Sequence, residues 1–437
     1  MTMIRNFLRI TFLTLGVVLI PTSVGLAEWQ PHEVRQQNGK DSQIRLPARF
    51  QMLTESWNRV VAVPYIVYMP EKDRLLMLAN CDYPHRAFML TSDDHGANWT
   101  DPYPALLDED GKPAAIMEGA GLAGDMGTGL AYLGNGTALF YTGSGRQEKL
   151  LNCWFSRDYG KTWGDSVLLT APSSSPKSWL IWDPPLVDRD PQTGKVTQLA
   201  QTSYQQTGTS QDSQAFLRFS PDEGQTWSRS IQVPQWRGVN EVALLRAGNG
   251  DLVAGCRTDV PPWSEEKMDH YEGLGTSVST DDGQTWSTVN ILYDHGRHHQ
   301  SLVLMPDGDV VMTYVVRKGY VDSKDGFPQF GIEAIVSHDH GRTWDLDHKY
   351  ILHAWVGDIK GENAWWPSSQ STSSRLLPDG SIITAFGTGY RIHSDEQAPR
   401  DVGLVGWRLN TDPVNTDTTI RDAAFDSDLR NVFDPSP

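Results

Sequence analysis

One eight-residue pattern, S-x-D-x-G-x-[TN]-W, occurs five times in this chain. The copies are SDDHGANW from Ser92, SRDYGKTW from Ser156, SPDEGQTW from Ser220, STDDGQTW from Ser279 and SHDHGRTW from Ser337. Their acidic residues, Asp94, Asp158, Asp222, Asp281 and Asp339, follow one another at intervals of 64, 64, 59 and 58 residues. A period of this length marks a repeat architecture, in which each unit buries its apolar face against its neighbours. Five separate copies cannot form one active site. The pattern therefore predicts a scaffold turn: Ser and Asp bond nearby backbone, Gly takes a positive φ, and Trp covers the hairpin base.

The units are made of strands. Each copy follows a short apolar run, such as AFMLT, NCWFS or EAIVS, and about 30 residues upstream of most copies lie two more runs flanking a tight turn. VALLRAGNGDLVAGCR and SLVLMPDGDVVMTYVV are examples, and Asn-Gly or Asp-Gly between apolar runs signals a hairpin. Four antiparallel strands repeated in this way predict a blade of a β-propeller. A sixth unit, SSRLLPDGSIITAFGTGYR followed by DVGLVGWRLN, lacks the box. The expectation is an all-β, six-bladed propeller over roughly residues 45–415, in a single domain of residues 28–437. Ile44 to Phe50, or the tail after Thr418, would supply the ring-closing strand, and that tail is too short for a seventh blade.

The 437 residues begin with Arg5 and Arg9 ahead of an apolar run from Ile10 to Ile20, broken at Pro21. Gly25 and Ala27 provide small residues for cleavage after Ala27. The run is shorter than the ~20 residues of a membrane span, so residues 1–27 are expected to be a signal peptide and the mature protein secreted or periplasmic. A net charge of −17 argues against nucleic acid and anionic membranes as partners. The odd set of Cys81, Cys153 and Cys256 has no metal spacing, so the fold should not depend on disulfides. Sixteen Trp allow some to stack on sugars. No cofactor is called for, and a monomer is expected.

On these boxes the chain resembles the sialidase (neuraminidase) superfamily, six-bladed propellers with repeated Asp boxes, and the likeness runs over nearly the whole mature chain. The strongest match is NEVALLRAGNGDLVAGCR, where Glu241 opens an inner strand and Arg257 ends the next. The resemblance implies that Glu241 supports a Tyr nucleophile and that Arg257 grips a substrate carboxylate through its fork of donors. The family's Arg-Ile-Pro motif aligns with VVAVPYIVY, which carries Ala62 in place of the Arg. Its Tyr, sought eight residues before Asp379, is replaced by Ser371, so Tyr390 beside Arg391 is the nearest substitute.

The same count back from Asp307 reaches His299 in GRHHQSLVLMPDG, and Arg317 ends the following strand. His298 and His299 are thus expected at the axis as substrate contacts, and the pair lacks a spaced carboxylate that would make it a metal site. By resemblance the acid/base Asp corresponds to Asp82 in NCDYPHR, with His85 behind it. Trp182 and Asp183 in WLIWDPPLV, and Asp125 in AGDMGTGLAYL, open the inner strands of their units as further candidates.

The leading expectation is an exo-acting glycoside hydrolase that releases a terminal acidic sugar, sialic acid by family default, from a glycan. Glu241, Tyr390 and Asp82 would be catalytic, and Arg257, Arg317, Arg391, His298, His299, Asp183, Trp182 and Asp125 would bind substrate. Two alternatives stand beside it. One is a propeller acting on uronate- or deoxysugar-containing polysaccharide, as a lyase with a His base or as another glycosidase. The other is a glycan-binding propeller without catalysis.

Overall fold

The computed structural model describes residues 28–38, 42–82, 85–114, 126–142, 151–172, 178–206, 212–266, 268–392 and 398–411. The first 27 residues and Asp125 lie outside them. Antiparallel β-sheet builds all of its regular layers. A hairpin of β1 (Gln30–Gln37) and β2 (Gln43–Met52) comes first. The next sheet holds β3 (Val61–Met69), β4 (Arg74–Cys81), β5 (Arg86–Ser92) and β6 (Tyr103–Pro104). A second follows with β7 (Thr128–Gly134), β8 (Thr137–Thr142), β9 (Leu151–Ser156) and β10 (Asp165–Leu169).

The third sheet has a broken inner edge. There β11 (Ser178–Leu180) and β12 (Leu186–Arg189) pair with opposite ends of β13 (Val196–Gln206), which continues into β14 (Gln214–Ser220) and β15 (Ile231–Arg237). Pro184 and Pro185 occupy the gap, where two residues without amide donors cannot continue a ladder. The fourth sheet holds β16 (Val239–Arg246), β17 (Leu252–Thr258), β18 (Gly273–Ser279) and β19 (Asn290–Tyr293).

The remaining strands are β20 (Arg297–Leu304), β21 (Val310–Val316), β22 (Gln329–Ser337), β23 (Asp345–Val356), β24 (Thr372–Leu376), β25 (Ile382–Gly387) and β26 (Val402–Trp407). With the N-terminal hairpin they make one nine-stranded sheet, ordered β20-β21-β22-β23-β1-β2-β26-β25-β24. The segment Ile44 to Phe50 thus serves as a closing strand through β2, which pairs with β26. Inner strands touch in a closed cycle, β3 to β7, β7 to β12, β12 to β16, β16 to β20, β20 to β24 and β24 back to β3. The architecture is all-β and propeller-like.

The five boxes have one geometry. In the Ser220 copy, the Ser220 hydroxyl donates to Asp222 Oδ1 (2.9 Å) and accepts from the Gly224 amide (2.8 Å). Asp222 also accepts from the Thr226 amide (2.8 Å) and hydroxyl (2.7 Å), and Trp227 Nε1 donates to the Gly224 carbonyl (3.0 Å). Copies at Ser92, Ser156, Ser279 and Ser337 repeat the Ser–Asp and Gly–Ser bonds within 0.1 Å. The Ser and Asp groups of each turn are met within it, as an exposed loop tip requires, and the Trp–Gly bond recurs at Trp99, Trp163 and Trp286 but not at Trp344, whose buried Nε1 has no partner among the described residues.

The box glycines also join the sheets. All five have φ between +81° and +88°, and a Cβ on them would press on the sheet before: Gly160 on Leu76 (2.6 Å), Gly224 on Phe155 (3.3 Å), Gly283 on Leu217 (3.1 Å) and Gly341 on Val253 (2.5 Å). Gly96, in the first box, meets Ile383 of β25 at 2.8 Å, so the first sheet packs on the last. Only glycine combines that φ with that approach.

Every box joins the third and fourth strands of its unit. In the fourth sheet Ser279 is opposite Leu252 while Gly273 is opposite Thr258, so the box lies at the opposite end of β17 from Arg257. At ~3.3 Å per residue the separation is roughly 17 Å along the strand. The boxes therefore occupy the face away from the end where β16 and β20 begin.

Candidate active site

At that other face the inner strands are irregular. Register slips between Ala62 and Tyr65 in β3, Thr128 and Ala131 in β7, Val239 and Val242 in β16, and His298 and Ser301 in β20. Such bulges end the ladder and re-aim side chains. Those of β16 and β20 contain Glu241 and His299. His299 has φ +53°, a conformation costly for a non-glycine residue, and its carbonyl is held by the Thr372 hydroxyl at 2.8 Å. Gln300 ties the two strands, donating to the carbonyls of Glu241 (3.1 Å) and Gly255 (2.8 Å).

These residues open into a cavity of about 240 Å³. Its wall includes Trp182, Tyr204, Glu241, Arg257, Asp269, Glu272, His299 and Arg317. Arg257 is the hub. Its Nη1 donates to both Glu241 oxygens (2.9 and 3.0 Å), its Nε to Glu272, and its Nη2 lies 3.6 Å from Asp269 Oδ2. Asp269 Oδ2 also accepts from Arg317 Nη1 at 2.8 Å, and Arg317 Nε donates to the Ser369 carbonyl at 2.7 Å. His299 Nδ1 is 2.8 Å from Glu241 Oε2, and Arg257 Nη1 is 3.0 Å from Nε2.

The electrostatics follow from burial and these partners. Burial alone would raise the Glu241 pKa, but the Arg257 charge and His299 outweigh it and hold the carboxyl at about 2. Burial brings His299 down to about 4, with Glu241 opposing and Arg257 adding to the drop. A neutral His299 donating from Nδ1 to Glu241 and accepting at Nε2 from Arg257 satisfies all three groups. Asp269 would be raised by burial, yet Arg317 and Arg257 keep it well below the carboxylate range. The Tyr204 phenol is pushed far up, by burial first and then by the Glu241 charge, so it stays protonated.

The boxes, the closed ring and this axial cavity converge with one comparison. The family model of the BNR repeat-like domain matches residues 130–352. The chain belongs to the BNR repeat-like family. Among solved structures, this BNR-repeat chain is similar to a Dyadobacter fermentans protein of unknown function, at a TM-score of 0.54 and 15% identity over 87% of this chain and 99% of that one. It is similar to the leech intramolecular trans-sialidase bound to 2,7-anhydro-Neu5Ac, at 0.55 and 12% over 81% and 69%. It is also similar to the GH93 α-L-arabinofuranosidase of Fusarium graminearum bound to arabinobiose, at 0.50 and 13% over 80% and 95%. These likenesses establish a sialidase-like propeller fold shared with glycoside hydrolases. No curated protein matches the chain at a significant level.

The BNR-repeat fold brings together Glu241, Arg257, His299, Arg317 and Trp182 as the sequence suggests. His298 is fully buried behind them, its ring 4.6 Å from that of His299, and neither of its nitrogens has a partner among the described residues. Asp183 faces a separate axial cavity of about 390 Å³, and Trp182 and His299 belong to both walls with their rings 5.6 Å apart. Burial, then the Glu241 charge, raises Asp183 far above the carboxylate range.

Three expected site residues are placed elsewhere. Tyr390 and Arg391 lie beyond the end of β25, where their amides bond the Trp366 and Pro399 carbonyls. Tyr390 packs on Trp366 (4.9 Å) beneath the Arg400 guanidinium (4.4 Å). Arg391 binds Asp401 through two bonds (2.8 and 2.6 Å) and the Glu55 carbonyl (2.7 Å). Asp82, at the end of β4 with φ +63°, takes two bonds from Arg59 (2.9 and 2.6 Å). None of the three lines the cavity. The cation cluster expected of Arg257, Arg317 and Arg391 is thus a pair, and that pair is met by three carboxylates.

The sequence reading missed Tyr204, Asp269 and Glu272. Tyr204 lies near the end of β13, the second long strand of its unit, as Arg257 does of its own. The rule that found Arg257 would have found it. Asp269 and Glu272 sit in KMDHYEGLG, a connection with no fixed offset from any turn, and no periodicity points to them.

Proposed function

We propose that this chain is an exported glycoside hydrolase of six blades that removes one terminal, uncharged sugar held in the axial cavity. The blade count reads the nine-stranded sheet as two blades, β20–β23 and β24–β26 with β2, stitched by β1. Export rests on the N-terminal apolar run of residues 10–20 and its small-residue cleavage site.

The observation that carries the reading is the Glu241 carboxylate, held by Arg257 and His299 on the wall of a cavity shared with the Tyr204 phenol. By the pairing that the sialidase resemblance assigns to a Glu and a Tyr, the Tyr204 oxygen bonds the anomeric carbon as its proton passes to Glu241, the glycosidic C–O bond breaks with its oxygen taking a proton from solvent, and water then releases the sugar from Tyr204 and restores the phenol. Arg257 and His299 position Glu241. A volume of about 240 Å³ falls below the ~300–1,000 Å³ of sites for drug-sized ligands, which favours one sugar unit and hence exo action. Trp182 offers a ring face to the sugar.

The family default, sialic acid, needs cations free to meet its carboxylate. Arg257 already meets Glu241, Glu272 and Asp269, and Arg317 meets Asp269. That pairing favours a neutral sugar, as in the arabinobiose bound by the fungal relative in fold. It disfavours uronate elimination for the same reason. The test is to incubate the mature protein with mixed arabinan, sialylated and uronate-rich glycans and identify released products by mass. A neutral monosaccharide supports the reading. Sialic acid, an unsaturated uronate, or binding without release overturns it.

A further inference from the structure

The three cavity carboxylates are not equivalent. Glu241 lies on β16 and Glu272 directly precedes β18, and both side chains are buried against Arg257, at 5% and 2% exposure. Asp269 is carried instead by a single turn, residues 269–271, in the connection from β17 to β18, and its side chain is 46% exposed. One of its oxygens bridges Arg317 at 2.8 Å and Arg257 at 3.6 Å. Among the described residues it is the sole acidic partner of Arg317, whose own side chain is 3% exposed. Asp269 thus offsets the Arg317 charge, beside the Ser369 carbonyl that accepts from Nε.

We propose that Asp269 is the specificity-determining residue of the cavity: a built-in carboxylate that fills an anion site between Arg317 and Arg257 and thereby excludes sugars bearing a carboxylate of their own. This rests on the reading that the cavity holds a terminal sugar. A carboxylate entering beside Arg317 would find the donor already engaged and a like charge in its place. With His299 neutral, three carboxylates face two guanidiniums, so the cavity carries an excess of negative charge. Removing the Asp269 charge restores the balance and frees Arg317 Nη1, which Asp269 Oδ2 engages at 2.8 Å, for a carboxylate oxygen of the ligand.

The test is calorimetric titration of the full mature protein with glucuronate and with glucose, which differ at the carboxylate. The parent is expected to bind glucuronate no more tightly than glucose. Asp269→Asn, nearly isosteric, and Asp269→Ala, which leaves room, are each expected to bind glucuronate at least tenfold more tightly than the parent, weakening as salt is added. Arg317→Gln placed on Asp269→Asn is expected to abolish the gain. Glucuronate binding by the parent clearly tighter than its binding of glucose overturns the proposal and needs no variant to fold. So does an Asp269→Asn protein with the parent's melting temperature and no gain. The measurement needs no turnover, so a failure to release sugar would sink the hydrolase reading while leaving this result to stand on its own.

Discussion

The box hairpins and the axial cavity both hold carboxylates below their ordinary pKa, by opposite means. Asp222 is lowered first by the Thr226 hydroxyl and amide, four residues away, and Ser220 adds to it. Glu241 is lowered against its own burial by Arg257 and His299, from two different sheets. A box satisfies itself locally and can be copied at any blade edge. The cavity cluster is assembled from neighbouring sheets, Glu241 and Arg257 from the fourth, His299 from β20 and Arg317 from just past the end of β21. Repetition marks what holds the ring together, and the unrepeated cluster at the other end of the same strands is where the proposed site lies.

The largest expected effect breaks the pair at the cavity. Glu241→Gln removes the base and should lower kcat by about 10²–10⁴-fold, measured on whichever glycan releases product. An unchanged kcat would make Glu241 a structural partner of Arg257. The matching change at a box is Trp163→Ala. Trp163 is buried edge-on against Phe140 (4.7 Å), so its truncation should lower stability by about 3–5 kcal/mol in denaturant melts, with kcat of the folded fraction unchanged. Trp227, half-buried under Arg218, should cost less. Gly160→Ala, forced to φ +81° against Leu76, should cost about 1–3 kcal/mol.

Acid should act on the buried histidines before it reaches the box carboxylates. Burial lowers His299, His270 and His85 to about 4 and His353 to about 3, from an ordinary 6.5. Below 6.5 the unfolded chain therefore binds protons that the folded chain refuses, and stability falls as pH drops toward 4. Box carboxylates, lowered from 3.8, keep their contribution until the pH falls below that value. Melting temperature should decline already between pH 7 and pH 5. A flat profile down to pH 4 would contradict the neutral, buried state of these histidines.

The smallest effect belongs to Arg391. Its pair with Asp401 lies off the cavity, so Arg391→Ala, although it unpairs the buried Asp401, should leave kcat of the folded protein within roughly twofold. A large loss of activity would return Arg391 to the site.

The sequence carried the scaffold almost entirely, since a local hydrogen-bonded turn writes its whole pattern within eight residues. Glu241 and Arg257 were legible for a related reason: both sit at fixed counts from the Asn249–Gly250 turn that pairs their strands. His299 followed from the same count at Asp307. Tyr390 and Arg391 misled because they share the right stretch of sequence but stand past the end of β25, where the chain has left the ladder. Asp269 and Glu272 could not be counted to at all. Their place is set by a connection whose path depends on the buried guanidiniums it must satisfy.

The most direct test is a crystal structure of the protein with the monosaccharide it releases. One sugar ring should occupy the cavity of about 240 Å³, against Trp182 and within hydrogen-bond reach of Glu241 and Tyr204, with Asp269 still bridging Arg317 and Arg257. A sugar bound at the box face or only at the outer rim, with that cavity empty, would contradict the account.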